Sequence, residues 1–173
     1  HLLRERTHPA WRRLKFDELL AQQLSLRIAR AIRREQNAPV VRPPRELARK
    51  LLENLPFGLT RAQQKVLAEI HADLAEPHPM QRLLQGDVGA GKTVVAALAA
   101  CQAIEAGWQV ALMAPTEILA EQHFRKLADW LSPLGLQVAW LTGSLKSKEK
   151  KAALTAAVEG HAQLIVGTHA LFQ

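Results

Sequence analysis

Eight residues constrain this chain more than any others. Gly86-Asp87-Val88-Gly89-Ala90-Gly91-Lys92-Thr93 fits the pattern G-x-x-x-x-G-K-[ST] at every fixed position. The run follows a short apolar segment and opens a helical one, which is the setting this pattern needs. Each position has a physical reason. Glycines allow backbone conformations that turn successive N–H groups toward one point. The helix that follows adds the positive end of its dipole there. A lysine and a hydroxyl at the helix start can then reach the outer phosphates of a nucleotide and its Mg²⁺ ion. By this reading Gly86 to Gly91 cradle phosphate, Lys92 reaches the β- and γ-phosphates, and Thr93 is the metal ligand.

The rest of the chain fits an α/β fold around such a loop. Short apolar runs near Gln81–Leu84, Gln109–Ala114, Gln137–Leu141 and Gln163–Val166 alternate with helical stretches near Lys92–Ala106, Glu117–Trp130 and Ser147–Glu159. That alternation predicts a parallel sheet with helices on both faces. Thr60 to about Ala75 reads as a further helix, opened by Thr60-x-x-Gln63. Two readings of Gln63 stand. It can close a capping box on Thr60, or it can bond adenine while a ring such as Phe57 stacks nearby. Physics alone favours the cap.

Charge divides the chain unevenly. Residues 1–56 hold thirteen Lys/Arg against six Asp/Glu, and residues 57–173 hold ten of each, so the whole net charge of +7 sits in the first third. A basic module beside a neutral one fits a polyanionic partner, nucleic acid first, or simply a solvated basic helix face. Phe16, Leu20, Leu24, Ile28 and Ile32 form one helical stripe over Phe16–Gln36, and a helix that long is expected to cover that face against the lobe that follows. Asn37-Ala38-Pro39 ends it, Pro43-Pro44 marks a linker, and a short helix carries Leu47, Leu51 and Leu52. Pro56-Phe57-Gly58 is the predicted boundary between a basic helical segment, 1–56, and a phosphate-loop lobe, 57–173.

Open parallel sheets bind ligands beyond the carboxyl ends of their strands. Three predicted strands here end in Ala114-Pro115-Thr116, Thr142-Gly143-Ser144 and Gly167-Thr168-His169. Turn chemistry explains each end singly; the three together fit a track for a sugar–phosphate backbone. No strand after the loop ends in Asp-Glu, the carboxylate that a nucleotide hydrolase uses to hold Mg²⁺ and position water. That gap, a start without Met and an end just after a strand read as a piece of a longer chain. His8, His71, His78 and His161 lack ligand spacing and read as surface residues. The lone Cys101 excludes an internal disulfide and reads as a small buried hydrophobe. The first residues carry no apolar run of a signal peptide, no stretch approaches a membrane span, and the default placement is cytoplasmic.

Taken in order, Gly58-Leu59-Thr60-Arg61-Ala62-Gln63-Gln64, Gly86 to Thr93, Pro115-Thr116-Glu117-Ile118-Leu119-Ala120-Glu121-Gln122-His123, Leu141-Thr142-Gly143-Ser144 and Val166-Gly167-Thr168-His169-Ala170-Leu171 resemble the first motor lobe of superfamily 2 helicases, the RecG family in particular. His8-Pro9-Ala10-Trp11 and Leu14 to Leu24 resemble that family's segment between wedge domain and motor. Transcription-repair coupling translocases share the layout, but typically place an aromatic where Ala90 stands; a small-molecule phosphotransferase on the same fold is the other alternative. The resemblance implies a RecA-like lobe binding ATP and Mg²⁺, with Gln63 reading adenine. It implies that Pro115, Thr116, Gln122, His123, Thr142, Gly143, Gly167, Thr168 and His169 contact DNA or couple it to the nucleotide. It also implies a motor that remodels stalled forks and Holliday junctions, without sequence specificity, once a second motor lobe and a wedge domain complete it. By the same resemblance this chain alone binds ATP without turning it over.

Overall fold

A computed structural model of the chain describes residues 9–43 and 46–172. His8 and Pro44, used in the sequence reading, lie outside these residues. The elements run in the order α1 (Pro9–Arg34), α2 (Leu47–Asn54), α3 (Arg61–Leu74), α4 (Lys92–Glu105), β1 (Val110–Met113), α5 (Glu117–Leu131), β2 (Val138–Leu141), α6 (Ser147–Val158) and β3 (Leu164–Gly167). Single 3-10 turns follow α5 at Ser132–Leu134 and β3 at His169–Phe172.

The sheet is parallel in the order β1-β3-β2, with Met113 and Leu141 both opposite Gly167. The chain leaves β1, passes through α5, skips one position to β2, and returns through α6 to place β3 in the gap. Right-handed crossovers that run in opposite directions along a sheet put their helices on opposite faces. Accordingly α5 packs on β2 and β3 while α6 packs on β2. This is the predicted RecA-like layering. The core is aliphatic: Leu98, Leu127, Leu131, Leu164 and Val166 are fully enclosed, and each such side chain contributes about 1.5–3 kcal/mol. Helix α4 is buried over most of its length, consistent with its run of Val, Ala and Leu. Cys101 is buried among them, and its thiol is pushed up to about 12 by burial first and by the Glu105 charge second, so it stays protonated and inert.

One strand is not formed. Residues 80–86 run without any sheet partner, although Gln81–Leu84 was expected to be the first strand. Within Gln81–Leu84 only Leu83 and Leu84 are apolar, and Leu83 is 80% exposed, so the segment has no apolar face to bury. It is tethered by charge instead: Arg82 bonds Asp73 at 2.7 Å and Glu69 at 2.6 Å, both on α3.

Two compact units are present, His1–Val40 with Glu76–Met80, and Val41–Ala75 with Gln81–Gln173. The first is dominated by α1. No residue of α1 is buried, and Phe16, Leu20, Leu24, Ile28 and Ile32 are all exposed. Arg33 and Arg34 lie in the last turn, where cations complement the helix dipole. In the second unit α2, which precedes the boundary read at Pro56, packs on α4 and α5 through the enclosed Leu51. No helix of the described residues is long and apolar enough to cross a membrane.

Candidate nucleotide and nucleic-acid site

The loop before α4 has the backbone its sequence requires. Gly89 and Gly91 sit at φ 82° and 79°, in the left-handed region that glycine occupies without strain. Gly91 is also the N-cap of α4. The Lys92 ammonium donates to the Gly86 carbonyl at 2.7 Å and the Asp87 carbonyl at 2.8 Å. A fixed cation therefore stands at the mouth of the loop, beside the positive end of a 14-residue helix. Thr93 follows at the second helical position, half-buried, while Val88 is fully exposed at the loop tip.

Gln63 joins this loop from α3. Its Oε1 accepts from the Thr60 backbone N–H at 2.8 Å, and its own N–H donates to the Thr60 hydroxyl at 3.2 Å, the reciprocal pair of a capping box. Its Nε2 then donates to the Ala90 carbonyl at 2.9 Å, inside the phosphate loop. The approach is so close that a methyl group on Gly91 would collide with that amide. Spacing identified the cap; the bond to Ala90 links residues 27 apart and had no sequence signal. Phe57 is half-exposed and meets Trp130 of α5 edge-on at 6.3 Å, with Lys126 over the Trp130 ring at 5.0 Å.

The strand ends fall as the parallel sheet dictates. Pro115 and Thr116 follow β1, Thr142 and Gly143 follow β2, and Thr168 and His169 follow Gly167 at the end of β3. Because the strands are parallel and in register, all three ends share one edge. Their side chains differ in what they can reach. Thr116 caps α5 by accepting from Leu119 N–H at 3.3 Å. Thr142 and Thr168 are buried, at 0% and 4% exposure, and the Thr142 hydroxyl lies 3.2 Å from that of the exposed Ser144. Pro115, Gly143, His169 and Gln122 are exposed, and His123 is half-buried. Gly167 has no room for a side chain, since a methyl group there would run into the Leu141 carbonyl.

Sequence reasoning missed three features. Gln102 on α4 is fully buried and donates to the Val41 carbonyl at 2.6 Å and the His71 carbonyl at 3.3 Å. His71 is half-buried rather than a surface residue, its Nε2 has no partner among the described residues, and burial holds its pKa below the usual value of 6.5. Glu117 accepts from both the N–H and the hydroxyl of Ser144. Among the described residues no three His, Cys, Asp or Glu cluster in a way that could hold a metal ion.

Known proteins share this sequence pattern and fold. The family model for DEAD/DEAH box helicases matches residues 60–173, from the capping threonine of α3 to the end of the chain. The chain belongs to the DEAD/DEAH box helicase family. It is 53% identical over 166 residues to the ATP-dependent DNA helicase RecG of Escherichia coli strain K12, and 51% identical over 166 residues to that of Acidithiobacillus ferridurans. Each alignment covers 96% of this chain and 24% of the relative, so the chain spans about a quarter of the curated relatives it matches. A solved structure of RecG bound to a three-way DNA junction superposes with a TM-score of 0.82 at 40% identity, covering 94% of this chain and 22% of that one. A hypothetical ATP-dependent RNA helicase from Sulfolobus tokodaii shares the fold at TM-score 0.53 and 19% identity, covering 71% of this chain and 33% of that one.

Proposed function

We propose that this chain is the ATP-binding part of a DNA helicase that couples ATP hydrolysis to remodelling of branched DNA in recombination and repair. The observation that carries the reading is the phosphate loop: two left-handed glycines, a lysine ammonium already fixed at its mouth, and Gln63 bonded to its Ala90 carbonyl. Residues of this kind fit Mg·ATP. Gly86, Asp87, Val88, Gly89, Ala90 and Gly91 form the proposed phosphate cradle, within which the Ala90 N–H is held by the Asp87 carbonyl at 3.1 Å; Lys92 would meet the β- and γ-oxygens, and the Thr93 hydroxyl is the ligand this chain offers to Mg²⁺. The nucleotide supplies the transferable phosphoryl group.

Gln63 and Phe57 are the proposed adenine contacts. Both ends of the Gln63 amide are engaged with Thr60 and Ala90, so reading adenine exchanges one of these bonds for a base edge. That exchange would report an occupied site directly to the phosphate loop. Pro115, Thr116, Gln122, His123, Thr142, Gly143, Gly167, Thr168 and His169 form the proposed DNA-facing or coupling edge. Thr142 would act there through its hydroxyl beside Ser144, the exposed residues by contact. The likeness to RecG on a three-way junction supports DNA of branched or duplex form as the partner, contacted without sequence readout. Residues 1–56 are read as a basic connecting segment to further parts of such a helicase, with its α2 packed on the nucleotide lobe of 57–173; a DNA substrate fits a cytoplasmic setting for both.

None of β1, β2 and β3 ends in a carboxylate, and among the described residues no arginine bonds the loop. The chain on its own is therefore expected to bind Mg·ATP and not to turn it over, since groups that stabilise the transferring phosphoryl are worth roughly 10³–10⁵ in rate. Titration with a fluorescent ATP analogue and Mg²⁺, alongside a phosphate-release assay, tests this. Binding lost in Lys92→Ala supports the reading. Turnover by the pure chain that vanishes in Lys92→Ala would show that the hydrolytic site is complete within it.

A further inference from the structure

Ser144 lies in the loop after β2, on the edge assigned to DNA, and it is exposed. It has the two donors that a phosphate oxygen would take, a backbone N–H and a hydroxyl. Neither is free. The Glu117 carboxylate accepts from the N–H at 3.3 Å and from the hydroxyl at 2.8 Å, one oxygen to each. The same hydroxyl lies 3.2 Å from the hydroxyl of the buried Thr142, which fixes where it points. Glu117 is the first residue of α5, so its charge also occupies the positive end of that helix. A two-oxygen anion thus sits across the loops after β1 and β2. Both residues are exposed and border an open cleft of about 580 Å³, so a competing anion can reach them. Lys146, Lys148, Lys150 and Lys151 follow Ser144 at the start of α6 and favour a polyanion at this edge.

We infer that Glu117 is an internal stand-in for a DNA phosphate, holding the Ser144 donors until a backbone phosphate displaces its carboxylate. This rests on the proposed DNA-facing edge. It assigns a specific exchange: the Ser144 N–H and hydroxyl pass from carboxylate to phosphodiester, and Glu117 swings to solvent. No covalent bond changes. The carboxylate lowers affinity for DNA, because a phosphate arriving at Ser144 must first displace an existing charge-assisted pair.

Binding of the whole chain to a three-way junction and to a plain duplex is measured over a salt series, for wild type, Glu117→Gln, Ser144→Ala and the double variant. Glu117→Gln removes the charge and keeps the size. It is expected to bind both DNAs about two- to fivefold more tightly, the scale of one exposed charge interaction. Its slope of log affinity against log salt should change by less than about 0.9, because the same phosphate meets Ser144 in both proteins. Ser144→Ala should shrink that gain in the double variant. Thermal melting of all four shows whether the fold is kept, and amide exchange at Ser144 should speed up in Glu117→Gln without DNA and slow in both proteins when DNA is bound. If wild type binds DNA and Glu117→Gln binds equally or more weakly with an unchanged melt, Glu117 is a brace and this inference alone fails. If no variant binds either DNA at low salt, the inference and the DNA-facing edge fail together.

Discussion

Lys92 carries the clearest consequence at the scale of single residues. Its ammonium bridges two loop carbonyls before any ligand arrives, so the loop is organised around a cation and awaits an anion. Lys92→Ala is expected to abolish Mg·ATP binding in a fluorescence titration while changing the melting temperature little, because the side chain is exposed. Gln63 makes a different prediction. Gln63→Ala removes the reciprocal half of a capping box, worth about 1 kcal/mol of stability, and also cuts the bond to Ala90. If adenine is read there, ATP binding weakens and GTP binding does not; equal binding of both nucleotides by the unmutated chain would leave Gln63 a cap alone. Gly167 is a packing constraint. Gly167→Ala would drive a methyl group into the Leu141 carbonyl at the end of the β2–β3 ladder. A loss on the order of 2–3 kcal/mol in urea unfolding is expected.

At the scale of elements, α2 and α1 differ instructively. Helix α2 has only eight residues and its own N-cap, Glu46, makes no side-chain cap. The cap comes from the far end of α4: the Glu105 carboxylate accepts from Glu46 N–H at 2.9 Å and Leu47 N–H at 3.4 Å. Helices this short do not stand alone in water, so α2 is held by that carboxylate and by the enclosed Leu51. Glu105→Ala should cost about 1 kcal/mol, read by denaturant unfolding, with nucleotide affinity unchanged. In α1 the apolar stripe is complete, with Leu24 49% exposed. Leu24→Asp is therefore expected to leave the melting of the second unit unchanged. A fall of several degrees would show the stripe to be covered in solution.

The molecule as a whole should lose stability at mildly acidic pH. Burial holds the His71 pKa below its usual 6.5, so the unfolded chain binds a proton that the folded one resists. Stability is then fully present above about pH 7 and falls as the pH drops through 6.5 toward the depressed folded value. His71→Gln should flatten that fall in melting temperature between about pH 7 and pH 5. A curve identical to wild type would assign the acid sensitivity to other groups.

Much of this was legible in the sequence, for one reason: the signals were local. The phosphate loop, the capping box and the helices α3 to α6 follow from spacing within a turn or two, and their ends fell within two residues of where periodicity put them. The parallel sheet followed from the alternation of short and long runs. What tertiary structure alone decided is what depends on distant partners. Residues 81–84 have some strand character, yet a strand exists only where a neighbour takes its hydrogen bonds, and none does. The stripe of α1 named a face to be covered, but periodicity cannot supply the surface that would cover it. Glu105 capping α2, Gln102 stitching Val41 to His71, Gln63 reaching Ala90 and Glu117 closing on Ser144 join residues 27 to 61 apart. Polar side chains such as these carry no hydrophobic period, so their partners are set by how the helices pack around the sheet, and only the folded chain shows them.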